Sequence, residues 1–364
     1  MKGLIIDARF LFSSGLGVYL RTLLPAVLNQ SFAEKIIIYC RQQDREWFNQ
    51  FRRQNIEIRI LNAPSYSLAE QFFWFKNLIS HRHYIFWSPQ YNIPLIHFGP
   101  LVATVHDLAH LVLPEYKNNF FKFLYAKMMF FFVRLFANKI ICVSNFTKSQ
   151  LIEIVKINES RIEVIHLGLD KVRLTSMQTP MISLPKHYAL FVGNIKNHKN
   201  IKNLILSIRD VQVTYDLDLV IIGQREGFIT SGEDIFKLAD SLKVRYVFSG
   251  TLSDAELAYV YGHASLLAFP SIFEGFGLPP LEAMSFDCPV VASNAASIPE
   301  VCGSAAVYFD PYSVQEMTSA IIQVISDDGL RAELISRGKE RLHLFDVKSF
   351  QSRTLSILSS FKMR

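Results

Sequence analysis

Glu274 and Glu282 stand eight residues apart in FEGFGLPPLEA (273–283), on either side of a Gly-Phe-Gly turn and two prolines. Two carboxylates so placed look at first like candidates for acid and base; two acids that merely steady a helix start are the plainer alternative. SLLAFPS just before them reads as a strand, Gly275 and Gly277 as a backbone turn, and Pro279 and Pro280 as the first turn of a helix that also holds Glu282. A helix start offers unpaired N–H groups and a partial positive charge, here near Gly277 and Leu278, and can seat a diphosphate.

Other residue groups invite chemistry of their own. FVGNIKNHKNIKNL (191–204) places Lys196, His198 and Lys199 on a polar turn after a strand. A fixed positive charge there can neutralise a leaving diphosphate, whereas a solvated lysine-rich turn is the bland reading. VATVHDLAHLVLPEY ends an apolar strand at His106 and Asp107, so the imidazole can hydrogen-bond a sugar while Asp107 fixes its tautomer; His110 either joins that site or lies on the surface. SSGLGVYL (13–20) has Gly15 and Gly17 before a helix, which permits close backbone approach but lacks the third glycine of a dinucleotide fingerprint. Asp216-Leu217-Asp218 has the form of a metal-binding D-x-D, yet it leads into a strand and reads as solvation of the strand's edge. No His/Cys/Asp cluster elsewhere has metal-site spacing, so no metal is expected.

These residues need strands that deliver them to a common edge. Short apolar runs (GLIID, KIIIYC, IEIRIL, YIFWS, PLVATVHD, KIICVS, RIEVIHLG) alternate with helical patterns, which predicts a mostly parallel sheet covered on both faces. The pattern lapses over 171–187, and a second series follows from YALFVGN to AAVYFD. The expectation is an α/β chain of two doubly wound, Rossmann-like domains facing a cleft at the carboxyl ends of their strands. The first domain spans 1–170, a linker 171–187 and the second domain 188–345. A terminal helix over 346–364 is expected to pack back on the first domain.

Half of the 364 residues are hydrophobic, which excludes disorder, and four cysteines without a C-x-x-C pair fit a reducing cytoplasm. No uninterrupted apolar run reaches the roughly 20 residues that cross a bilayer. The net charge is +9 over residues 1–180 and −3 over the rest, so the basic half calls for an anionic partner. YKNNFFKFLYAKMMFFFVRLFANK (116–139) reads as one long helix whose Lys117, Lys122, Lys127, Arg134 and Lys139 scatter around its axis. A packed helix with cationic ends reaching outward is favoured over a membrane-surface helix, and peripheral docking at the inner face of a membrane stays open.

The stretch PSIFEGFGLPPLEAM resembles the E-x7-E signature of the family-four retaining glycosyltransferases of the GT-B fold, closest in style to bacterial mannosyl- and rhamnosyltransferases. PVVASNAASIPEVCGSAAVYFDP (289–311) is similar to the family's usual sequel. The resemblance implies a metal-independent hexosyl transfer from a nucleotide-sugar to a saccharide or lipid-linked saccharide. It assigns Glu274 to the donor sugar, Glu282 to the ribose, and Lys199 with the turn Gly275–Leu278 to the diphosphate. DARFLFSSGLGVY looks like the family's glycine loop, and His106-Asp107 like a pair common in its mannosyl- and rhamnosyltransferases. Where the family often carries an arginine, this chain has Asn194, leaving Lys196, His198 or Arg225 to supply the charge. The likeness leans toward GDP-mannose, or a related deoxyhexose donor, over UDP-glucose.

Three rivals stand beside this reading. A nucleotide-sugar epimerase or phosphorylase on the same fold would turn over donor, or depend on phosphate, without a saccharide acceptor. An inactive saccharide-binding partner would dispense with Glu274, Glu282 and Lys199. Nucleic-acid binding is permitted by charge, but no recognised module is present, and none is expected.

Overall fold

The computed structural model describes residues 2–30, 32–51, 53–170, 177–224 and 232–361. The chain divides into two compact units: Met1–Gly168 together with Val347–Arg364, and Leu169–Asp346. Of the linker expected over 171–187, residues 171–176 lie outside the described residues, and 177–187 belong to the second unit.

Unit 1 is built on seven parallel strands: Leu4–Asp7 (β1), Ile36–Cys40 (β2), Ile56–Ile60 (β3), Ile85–Ser88 (β4), Leu101–Val105 (β5), Lys139–Cys142 (β6) and Ile162–Val164 (β7). Their order in the sheet is β3-β2-β1-β4-β5-β6-β7. β1, β2, β4 and β5 are buried throughout, as a sheet covered on both faces demands, which is why they read as apolar runs rather than as alternations. One core cluster joins Ile5, Ile37 and Phe86 to Trp74 of the helix Leu68–Leu78. Another joins Ala103, Val105 and Ile140 to Met129, Phe130 and Val133 of the helix Phe120–Phe136. The long helix expected over 116–139 is thus shorter, capped by the Asn119 side chain and preceded by a separate turn, Pro114–Lys117.

The terminal helix, Val347–Ser359, packs against the helix Ser14–Asn29: Gln351 Nε2 donates to the Thr22 carbonyl (2.7 Å), and Phe350 meets Tyr19 at 5.5 Å between ring centroids.

Unit 2 repeats the plan with six parallel strands: Tyr188–Val192 (β8), Asp218–Ile222 (β9), Tyr246–Gly250 (β10), Leu266–Phe269 (β11), Val290–Ser293 (β12) and Ala306–Phe309 (β13), in the order β10-β9-β8-β11-β12-β13. The helices Ile201–Gln212 and Val314–Ser326 bury Leu204, Ile205, Ile208, Met317 and Ile321 in its core. In both units the order reverses beside the first strand, between β1 and β4 and between β8 and β11. Chains leaving such neighbours turn to opposite faces and open a crevice at the strands' carboxyl ends.

Candidate active site

The crevice of unit 2 is where the sequence placed its densest chemistry. The chain leaving β8 carries Gly193, Asn194 and Lys196 into the short turn Asn197–Lys199, and the chain leaving β11 carries 270–277 into the helix Leu278–Ser285. Two hydrogen bonds tie the two loops together, and a third reaches the chain after β13. Ile272 N donates to the His198 carbonyl (2.7 Å), while Asn200 Nδ2 donates to the carbonyls of Pro270 (3.2 Å) and Pro311 (2.7 Å). Asn200 sits at φ 59°, ψ 31°, a left-handed conformation that asparagine tolerates better than most residues. Ser297 Oγ bridges the carbonyls of Glu274 (3.0 Å) and Phe276 (2.9 Å) and fixes the glycine turn from beneath.

On this frame Lys199 Nζ reaches Glu274 Oε1 at 2.5 Å, with side-chain exposures of 19% and 13%. The two groups assigned separately to diphosphate and sugar are therefore ion-paired with each other, and the ammonium also lies 5.9 Å from the Phe269 ring centroid. Gly277 caps the helix at φ 98°, where any side chain is strained, and a Cβ there would meet Phe269 Cε1 at 3.3 Å. Pro279 and Pro280 have no N–H, so the amides this helix start can offer an anion are those of Gly277 and Leu278.

Glu282 lies on this helix as expected, as its fifth residue, just past a first turn that holds no acid. It is 6% exposed, and its Oε2 accepts from Tyr261 Oη at 3.0 Å. The Phe276 ring is buried edge-on against Phe345 (5.7 Å), so this residue offers a ligand its backbone. The loop after β9 runs beside Gly193 and Asn194, with a Cβ on Gly223 only 2.0 Å from the Gly193 carbonyl oxygen. Lys196 is half-buried at the start of its turn, and Arg225 lies outside the described residues. Asp216 and Asp218 are at the opposite, amino end of β9, where Arg245 holds both, at 2.9 Å and 2.6 Å.

In unit 1, His106 follows β5 and its Nε2 lies 2.9 Å from the Pro89 carbonyl oxygen. A carbonyl only accepts, so Nε2 carries the proton, and in the neutral ring Nδ1 is an acceptor. Asp107 was expected to set this tautomer; its carboxylate instead accepts from Ala109 N (2.8 Å), and the Pro89 carbonyl sets it. Burial lowers the His106 pKa, the carbonyl and Asp107 offsetting this only in part, so the neutral form prevails. His110 sits apart among tyrosines, 3.3 Å from Tyr91 Oη and ring to ring with Tyr116 at 4.4 Å. Gly15 and Gly17 fall in the first turn of the helix Ser14–Asn29 rather than in a loop. A Cβ on Gly17 would come within 2.6 Å of the Leu11 carbonyl oxygen, whereas Gly15 faces open space.

Sequence patterns did not single out a buried ionic cluster at the β1/β4 crevice. Arg9, 1% exposed, donates to both oxygens of Asp7 (2.7 Å each) and to Glu70. Burial works against the guanidinium's charge, but Asp7 and Glu70 more than offset it and raise its pKa. Glu70 also accepts from Asn92 Nδ2 (2.9 and 3.0 Å) and from the backbone of Tyr66 (2.6 Å), which holds Tyr66 at φ 63°. Tyr66 Oη donates to Gln90 Oε1 (2.9 Å), and Gln90 Nε2 is buried with no hydrogen-bond partner among the described residues. DAR was visible as a motif; that its arginine would be completed by Glu70 had no signal, because the partner is 61 residues away.

Against known proteins, residues 13–173 match the family described as Glycosyltransferase Family 4, and residues 174–341 match Glycosyl transferases group 1. The chain is a family-four glycosyltransferase. It is 28% identical to the O-antigen chain mannosyltransferase B of Escherichia coli, over 79% of this chain and 76% of that protein. It is 29% identical to the serotype-specific mannosyltransferase WbdA of Escherichia coli, over 68% of this chain but only 31% of that longer protein. The structure of Anabaena HepE in complex with UDP and glucose superimposes with a TM-score of 0.78 at 17% identity, covering 99% of this chain and 100% of that one. The fold is GT-B, and the glycosyltransferase is a hexosyltransferase. Tyr261, Ser297 and Asn200, which brace Glu282, the glycine turn and the lysine turn, are residues no pattern singled out for those tasks.

Proposed function

We propose that this glycosyltransferase moves mannose from GDP-mannose to a saccharide or lipid-linked saccharide, with retention of anomeric configuration and without a metal ion. The observation that carries the proposal is the grouping in unit 2. The Lys199–Glu274 pair stands at a crevice that also offers the Gly277 and Leu278 amides, with Glu282 one turn along the same helix. Mannose is favoured because both Escherichia coli relatives are named as mannosyltransferases. In this reading Glu282 takes the ribose hydroxyls, Glu274 the sugar, and Lys199 with the two amides the diphosphate. A diphosphate oxygen takes the acceptor proton on the face that the acceptor attacks. Neither glutamate moves a proton, and no carboxylate pair at double-displacement spacing is invoked. Neutral His106 accepts a hydrogen bond from a sugar hydroxyl through Nδ1. Tyr66 and Gln90 belong to the acceptor side. We place the enzyme in the cytoplasm, a setting that suits its four buried thiols.

The test is thermal shift with GDP-mannose, UDP-glucose and other nucleotide-sugars, followed by product analysis with and without chelator. GDP-mannose should raise the melting temperature most, and the transferred sugar should appear as the α-anomer by NMR. No stabilisation by any nucleotide-sugar at about 1 mM, near the upper end of ordinary KM values, would end the enzyme reading. A UDP-sugar as the best donor would end only the mannose assignment.

A further inference from the structure

The motif DARFLFSSGLGVY was expected to work through Gly15 and Gly17, which the structure places inside a helix; its last residue, Tyr19, is the one that reaches a candidate site residue. Tyr19 is 1% exposed and meets the His106 ring at 4.8 Å between centroids, with the two planes perpendicular. The Tyr19 hydroxyl lies 3.1 Å from Thr104 Oγ1, which also accepts from Trp87 Nε1 (3.2 Å). Phe350 of the terminal helix packs on the same tyrosine at 5.5 Å, and all of these residues belong to unit 1.

Three restraints act on His106. Thr147 Oγ1 donates to its carbonyl (3.1 Å) and holds the backbone. The Pro89 carbonyl accepts from Nε2 and selects the tautomer. A single hydrogen bond leaves the ring free to rock, because the χ2 torsion of histidine is broad and a carbonyl oxygen accepts over a wide range of directions. The perpendicular Tyr19 ring removes that freedom, as a wall that is itself held. The terminal helix is seated by Gln351 on the Thr22 carbonyl and by Arg353 Nη2 on the Val164 carbonyl (2.8 Å). Gly168 lets this helix begin in close contact: a Cβ there would come within 2.5 Å of Val347 Cα. The same wall keeps water from the imidazole. Asp107 favours the imidazolium, but burial outweighs it. Tyr19 adds no charge of its own, since burial raises the pKa of its phenol.

We infer that Tyr19 is a positioning residue for His106, and that the terminal helix acts on the same imidazole through Phe350. Tyr19 holds the ring plane at one angle, so that Nδ1 presents its lone pair to a sugar hydroxyl in a fixed direction. By excluding water it also keeps that lone pair free of a proton. The angle matters because a misplacement of about 1 Å can cost about 10²-fold in rate. The relevance of Tyr19 to catalysis rests on the proposed contact of His106 with a sugar hydroxyl; its effect on the titration of the imidazole does not.

Nitrogen-15 NMR of the full chain labelled at histidine tests it, with His106 assigned by the signals that His106→Gln removes. Tyr19→Leu should carry the His106 pKa back toward the ordinary value of about 6.5 as water reaches the ring. It should also lower kcat about tenfold or more while nucleoside-diphosphate affinity stays within about twofold. Tyr19→Phe keeps the ring and should restore both the titration and most of the rate. Phe350→Leu should reproduce the changes of Tyr19→Leu in weaker form, and it carries the test if Tyr19→Leu does not fold. A His106 titration that neither Tyr19→Leu nor Phe350→Leu moves would overturn the proposal. So would a Tyr19→Phe enzyme as impaired as Tyr19→Leu, which would assign the effect to the hydroxyl and Thr104, and so would nucleoside-diphosphate affinity that falls in step with kcat. A shifted titration with full activity, in a chain whose His106→Gln variant is also fully active, would overturn the sugar contact of His106 rather than its contact with Tyr19.

Discussion

The two units share a strand order and a crevice beside the first strand, yet they fill it with opposite chemistry. At β1/β4 the charges are sealed: Arg9, Asp7 and Glu70 are at most 1% exposed and pair with one another, with Arg9 Nη1 left without a hydrogen-bond partner among the described residues. At β8/β11 the ion pair Lys199–Glu274 keeps an opening to solvent, and the adjoining helix start has no side-chain cap. In unit 1 the ionic groups act on the chain itself, locking the loop that carries Tyr66 to the strand ends. In unit 2 they stay available to a ligand that can exchange for the partner. Equivalent places in one topology thus divide into a scaffold and a site, and burial of the charges is what separates them.

The widest gap between the two should appear on removing one charge from each. Glu70→Ala leaves Arg9 buried beside Asp7 alone and strips the Tyr66 amide of its acceptor. Breaking such a pair costs about 3–5 kcal/mol, so the melting temperature of unit 1 should fall steeply. Glu274→Ala leaves a lysine that solvent can reach, with a loss of about 1 kcal/mol or less. Equal losses in calorimetry would erase the distinction between scaffold and site.

Activity should show the reverse order. Lys199→Ala removes the fixed charge nearest the leaving diphosphate and should lower kcat by about 10²–10³-fold, with little change in melting temperature. Lys199→Arg should recover part of the rate, because charge rather than proton transfer is needed. A Lys199→Ala enzyme with undiminished kcat would show that the pair is structural, as in unit 1.

Acid should act on unit 1 through its buried imidazoles. His97 Nε2 donates to the Tyr84 carbonyl (3.1 Å), and burial lowers its pKa to about 4, the carbonyls of Tyr84 and Pro100 offsetting little of this. The folded value lies below the unfolded one, so the unfolded chain binds the proton more readily. Stability from this group is whole above pH 6.5, falls by on the order of 1–2 kcal/mol by pH 5, and continues to fall toward pH 4. His106 shifts in the same direction for the same reason. His97→Gln should flatten the pH dependence of unfolding between pH 6.5 and 4; an unchanged slope would move the effect to other groups.

How much of this was legible depended on distance along the chain. The α/β alternation and the Glu274–Glu282 spacing are local patterns, and so is the glycine that must cap the helix at Gly277. Arg9 with Glu70, and Tyr261 with Glu282, are pairings that only the folded sheet creates. His106 shows the same limit at short range: its sequence neighbour Asp107 looked like its partner, but the Pro89 carbonyl from the adjacent strand end fills that place.

The smallest effect bears most directly on whether unit 2 has a scaffold of its own. Glu282 is nearly as buried as the charges of unit 1, and it is held by a neutral hydroxyl, Tyr261 Oη at 3.0 Å. Tyr261→Phe deletes one hydrogen bond and keeps the ring, which stacks on Phe286 at 6.0 Å. If about 1 kcal/mol of this charge-assisted bond reaches the nucleotide site, nucleoside-diphosphate affinity should fall roughly fivefold as Glu282 loses its brace. Glu282→Ala should weaken binding further, and adding Tyr261→Phe to it should change nothing more. If the two substitutions add fully in calorimetric titrations, Tyr261 contacts the nucleotide by itself, and the carboxylate is positioned by the helix alone.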